Sequence, residues 1–82
     1  MQIGTMCDAV KAMLKDAGAG HLDFTVGWES EKDGVRIACR RSKTDVILHK
    51  YLFEDAGMSE LKLRVRLFYT ESKKRPNKLF WP

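Results

Sequence analysis

The sequence predicts an α+β domain of order αββββ, one N-terminal helix packed on a four-stranded antiparallel meander. Three observations predict it: apolar residues spaced 3, 1, 3, 1, 3 from Met6 to Ala17, alternation from Leu22 to Glu29, and alternation again over residues 60–70. At 82 residues the chain is expected to form a single small domain, too thin to wall off a deep active site.

The helix is expected over residues 5–17. Thr5-x-x-Asp8 reads as a start signal close to a capping box, and Met6, Ala9, Val10, Met13, Leu14 and Ala17 form one stripe. Gly18 supplies the left-handed residue that ends it, before Ala19-Gly20.

Four strands follow, over 22–29, 35–41, 46–53 and 60–70. In the first, Leu22, Phe24, Val26 and Trp28 share one face, and Glu31-Lys32-Asp33-Gly34 reads as a hairpin loop with Gly34 left-handed. In the second, Val35, Ile37 and Cys39 alternate with Arg36, Ala38 and Arg40. Residues 60–70 put Leu61, Leu63, Val65, Leu67 and Tyr69 on one parity and Lys62, Arg64, Arg66, Phe68 and Thr70 on the other. Residues 46–53 are apolar on both parities. Their β-branched and aromatic content favours a strand, with a short second helix as the alternative.

The charge is uneven: the whole chain is +4, residues 1–33 carry −3 and residues 34–82 carry +7. Such a field attracts a polyanion or an acidic protein surface to one side. On the strand register above, the sheet face away from the helix carries Arg36, Arg40, Lys62, Arg64 and Arg66, with Arg41 beside them and Phe68, Tyr51 and Phe53 interleaved. Cations that meet phosphates and flat rings that stack on bases are what single-stranded nucleic acid requires. The tail over 72–82 adds Lys73, Lys74 and Arg75, followed by Phe80 and Trp81. A homodimer, or the tail folded back, is the other expected cover for a strand apolar on both faces.

Several chemistries find no support. Glu29-x-Glu31-x-Asp33-Gly34 matches the first half of a calcium loop, but its twelfth position is Arg40 where a bidentate Glu is needed, so no metal is expected. Cys7 and Cys39 lie far apart with no CxxC pairing and read as two reduced thiols. His49 beside cations would suit acid–base work on RNA, yet neither it nor His21 stands in a catalytic spacing, and there is no phosphate loop or nucleophile elbow. No secretory pattern opens the sequence and no apolar run is long enough to span a membrane, so a cytoplasmic protein without a small-molecule cofactor is expected.

The expectation is a non-enzymatic binding module in a nucleic-acid-handling system, engaging nucleic acid or a nucleic-acid-bound complex through its basic sheet face and tail. The alternative is a protein-directed inhibitor or adaptor of the kind phages and mobile elements make, blocking a host enzyme or defence complex.

Overall fold

The computed structural model describes residues 2–20 and 23–74 and is α+β: helix α1 (Ile3–Asp16), strands β1 (Phe24–Glu29), β2 (Gly34–Cys39) and β3 (Thr44–His49), and helix α2 (Met58–Lys74). Short 3-10 turns at Ser30–Lys32, Lys50–Phe53 and Asp55–Gly57 join them. The strands form one antiparallel sheet in the order β1-β2-β3, with Phe24 opposite Cys39, and Cys39 opposite Thr44, at one end. Glu29, Gly34 and His49 meet at the other end.

The predicted fourth strand over 60–70 is instead α2. The alternation that suggested a strand contains a helical stripe, because Leu61, Val65 and Tyr69 are four residues apart and share a face of either element. The helix adds Phe68 and Ser72 to that face and turns Leu63 and Leu67, 56% and 53% exposed, to the outside. Leu, Lys, Arg and Glu favour a helix over a strand, and Glu60 accepts a 2.8 Å hydrogen bond from Arg64 one turn later, the favourable polarity for such a pair. A second helix also answers a packing need, since α1 lies against β1 and α2 against β3. Together they cover the sheet face that one helix would leave half bare.

The core between this face and the helices is formed by Met6, Val10 and Leu14 of α1, Phe24, Val35, Ile37, Cys39 and Leu48 of the sheet, Leu52 and Phe53, and Leu61 and Val65 of α2. Residues 46–53 are two elements. Val46 and Leu48 point inward from β3, after which the chain coils so that the consecutive Leu52 and Phe53 are both buried. Of the second parity, Phe53 is thus absorbed within the domain, while Ile47 stays on the open sheet face and Tyr51 is exposed.

Three boundaries also differ. Helix α1 starts at Ile3, with Gln2 as its N-cap and no side-chain cap, so Thr5 and Asp8 lie within the helix and are exposed. Its C-terminus is as expected: Gly18 has φ 101°, its N–H donates to the Lys15 carbonyl, and the Ala19 N–H donates to the Leu14 carbonyl, a Schellman closure. In the β1–β2 connection the left-handed residue is Asp33, with φ 49°, and Gly34 is the first residue of β2. Gly34 is needed for a different reason: a Cβ there would stand 2.7 Å from the Leu48 carbonyl oxygen. Strand β2 stops at Cys39, which leaves Arg40 and Arg41 in the turn to β3.

Candidate functional site

The basic residues singled out from the sequence do not share a face. Arg36 stands on the open side of the sheet, ion-paired with Asp45 of the neighbouring strand. Lys62 and Arg66 project from the α1 side of α2, where they border a shallow groove with Met13 and Asp16. Arg64 projects from α2 and is paired with Glu60, whose hydrogen bond and negative charge raise the guanidinium further above its ordinary value. The open sheet face is therefore Thr25, Gly27 and Glu29, then Arg36 and Ala38, then Asp45, Ile47 and His49, mixed in charge and without a basic aromatic lattice.

The expected aromatic contacts separate in the same way. Phe53 is core, and Phe68 packs edge-on against Phe24. Tyr51 is exposed, its ring 4.9 Å from His49. His49 Nδ1 accepts the Tyr51 N–H at 3.2 Å and so caps the Lys50–Phe53 turn, a structural task for that imidazole. The side chain of Lys74, and Arg75, Phe80 and Trp81, lie outside the described residues.

The fold does bring cations together at one end of the sheet. The β2–β3 turn is Arg40-Arg41-Ser42-Lys43, in which Arg40, Arg41 and Lys43 are exposed and form no ion pair with another described residue. Its shape is fixed by three bonds: the Lys43 N–H donates to the Cys39 carbonyl at 3.0 Å, the Arg40 N–H donates to the Asp23 carbonyl at 3.0 Å, and the Ser42 and Thr44 hydroxyls meet at 2.7 Å. The C-terminal turn of α2 reaches the same place, since Arg41 and Lys73 line one cavity. Lys73 lies over the Tyr69 ring, 5.3 Å from its centroid. Here a helix C-terminus adds partial negative charge, which the lysine at its end offsets.

The opposite end of the domain gathers acids. Glu29, Glu31 and Asp33 surround the β1–β2 connection, and Glu54, Asp55 and Glu60 lead into α2. The acidic end draws on both halves of the sequence, and the basic turn 40–43 lies opposite it because the antiparallel strands return that turn to the end where β1 begins.

Lys43 was not among the residues singled out from the sequence. The signal was there: a third cation beside Arg40-Arg41 with a small Ser between, once the strand is taken to end at Cys39. Among the described residues no group of three metal-ligating side chains converges. A groove of about 680 Å³ between α1 and β1 is bordered by Lys11, Leu14, Lys15, Phe24 and Val26, and by no carboxylate among the described residues. No described helix is long and apolar enough to cross a membrane. Comparison with known proteins finds no family model, no curated relative and no solved structure that matches this chain.

Proposed function

We propose that the chain is a non-enzymatic binding module that engages nucleic acid through the end carrying Arg40, Arg41, Lys43 and Lys73, with the basic residues after position 73 extending that footprint. The observation that carries this reading is the backbone of Lys43, whose φ of 56° lies in the left-handed region that favours Gly or Asn. A lysine held there against its conformational preference, beside two arginines that form no ion pair with another described residue, is what a site selected for charge requires. The carboxylates of Glu29, Glu31, Asp33, Glu54, Asp55 and Glu60 at the far end orient the approach of a polyanion, and Asp23, which lines a cavity with Arg41 and Lys73, opposes it locally.

The test is binding of a fluorescent single-stranded and a double-stranded oligonucleotide by wild type and by an Arg40→Ala/Arg41→Ala/Lys43→Ala variant, over a salt series. The slope of log affinity on log salt should fall by about one per phosphate contact removed, so by about three, and equally for all sequences. Absence of binding by the wild type at ~50 mM salt would defeat the proposal.

A second reading rests on Leu63 and Leu67. They are exposed, one helical turn apart, and flanked by Lys62 and Arg66, the pattern with which a helix enters an apolar groove rimmed by acids. That reading is the protein-directed adaptor or inhibitor. It expects Leu63→Ser/Leu67→Ser to abolish a salt-tolerant protein interaction while melting is unchanged.

A further inference from the structure

Strand β1 is an edge of the sheet, paired on one side with β2 and on the other with no strand among the described residues. The Arg40 N–H donates to the Asp23 carbonyl directly across the ladder, at 3.0 Å, which fixes the phase of the hydrogen bonds. Thr25, Gly27 and Glu29 then bond to β2, while Phe24, Val26 and Trp28 turn their N–H and C=O groups outward. No turn, loop or cap bond among the described residues takes up those outward groups. Residues 24–28 also lack the lysine, proline or bulge with which an open edge is ordinarily blunted.

The residues that offer their backbone outward are also those whose side chains face the helices: Phe24 belongs to the core, and Val26 and Trp28 pack against it. Beside them runs the groove of about 680 Å³ between α1 and β1, with Leu14, Ala19, Phe24 and Val26 as its apolar lining. Lys11 and Lys15, exposed and one helical turn apart, border it from α1 and form no ion pair with another described residue. Lys15, in the last turn of α1, offsets the partial negative charge of the helix end, but Lys11 stands a turn earlier and has no such task. Asp23 stands past the C-terminus of α1, where a Cβ on Gly20 would lie 3.0 Å from its Oδ2.

We infer that β1 and this groove form a docking site for an extended acidic peptide, which adds to the sheet as an antiparallel strand. A peptide residue directly opposite Val26 exchanges both backbone hydrogen bonds with it and points its side chain to the same side of the sheet, into the groove. Alternate residues of the peptide therefore meet Leu14, Phe24 and Val26, which favour small aliphatic side chains, or Lys11 and Lys15, which favour Glu or Asp. The residues between them share the open side with Thr25 and Gly27 and stay polar. Charge decides among the occupants. A second copy added edge to edge by a twofold axis brings two pairs of Lys11 and Lys15 together over one seam, and the residues after position 73 of this chain are rich in Lys and Arg. Repulsion opposes both, and the same cations attract an acidic partner.

The experiment titrates the isotope-labelled full chain with the end-blocked peptide Glu-Thr-Val-Thr-Val-Thr-Glu and follows the backbone amides by NMR. Binding should saturate, and the Phe24, Val26 and Trp28 amides should shift and exchange with solvent at least ~tenfold more slowly. The same peptide N-methylated at both valines keeps its charge and side chains but loses the donors that reach β1, so it should bind at least ~tenfold more weakly. Lys11→Glu/Lys15→Glu, a change at two exposed positions, should reverse the preference between this peptide and one with Lys in place of Glu. No saturable binding by ~1 mM peptide, equal binding of the N-methylated form, or an unreversed preference would overturn the inference. Slow exchange of the three amides already in the free chain would overturn it too, with a second copy on the edge if the slowing rises with protein concentration and a segment of this chain if it does not. None of these readouts involves Arg40, Arg41 or Lys43, so this proposal and the nucleic-acid proposal fail separately.

Discussion

Phe24 and Phe68 meet edge to face, with ring centroids 6.0 Å apart and planes at 64°. One ring comes from the first residue of β1 and the other from the middle of α2, so the contact ties the first strand to the last helix. With Tyr69 also 5.8 Å from Phe24, this cluster seals the end of the core beneath the basic turn.

The pair gives a direct measure of the helical register of α2. Phe68→Ala should cost ~2 kcal/mol or more, since a half-buried ring and an aromatic contact are lost together. Leu67→Ala should stay within ~0.5 kcal/mol because that side chain faces water. Urea melts of the two variants decide it. A strand over these residues would reverse the order, with Leu67 inside and Phe68 outside.

Lys43→Gly separates folding from function. Relief of a left-handed side chain is worth ~1–2 kcal/mol, and the added freedom of glycine in the unfolded chain takes back ~0.5–1. A net gain near ~0.5–1 kcal/mol is expected in thermal or urea melts, together with weaker oligonucleotide binding. A variant that is more stable and binds as the wild type does would remove Lys43 from the proposed site.

The two glycines of the sheet should respond oppositely. Gly34→Ala places a methyl 2.7 Å from the Leu48 carbonyl oxygen and 2.9 Å from Ile47 Cγ2, and it should cost ~1–3 kcal/mol as β2 and β3 shift apart. At Gly27 nothing lies within 4 Å of an added Cβ, so Gly27→Ala should be neutral or slightly stabilising. Comparable losses at both positions would contradict the pairing of Gly34 with His49.

The lowered thiol pKa of Cys39 sets the sign of a pH dependence. An acid whose pKa is lower in the folded chain than in the unfolded chain adds stability that is fully present above the unfolded value, ~8.5 for a cysteine, and disappears as pH falls through the folded value. Wild type should therefore gain stability over Cys39→Ser as pH rises from neutral to about 9, a window set by that reference value. A difference that stays flat or shrinks over this window would mean that burial, which raises the thiol, is not outweighed by Ser42 and Arg41, which lower it.

The sequence by itself determined the amphipathic helix at the start of the chain and its closure at Gly18, because a stripe of period 3.6 ended by a glycine has one cheap conformation. It also determined the inward residues of the first two strands: Phe24, Val35 and Ile37 occupy the face that alternation assigned to them. Arg40, Arg41 and Lys73 were legible as cations, and their meeting at one end was not. Only the tertiary structure decided residues 60–70, since Leu61, Val65 and Tyr69 satisfy both a period of two and a stripe of every fourth residue. The choice between them follows from how many strands one helix can cover. The same applies to Cys39 and Ser72, which are 33 positions apart and line one cavity only because α2 lies across the strand that ends in Cys39. Local pattern fixes the direction in which a side chain points. What it points at is set by long-range packing, which depends on the area each element must bury and therefore on every other element at once.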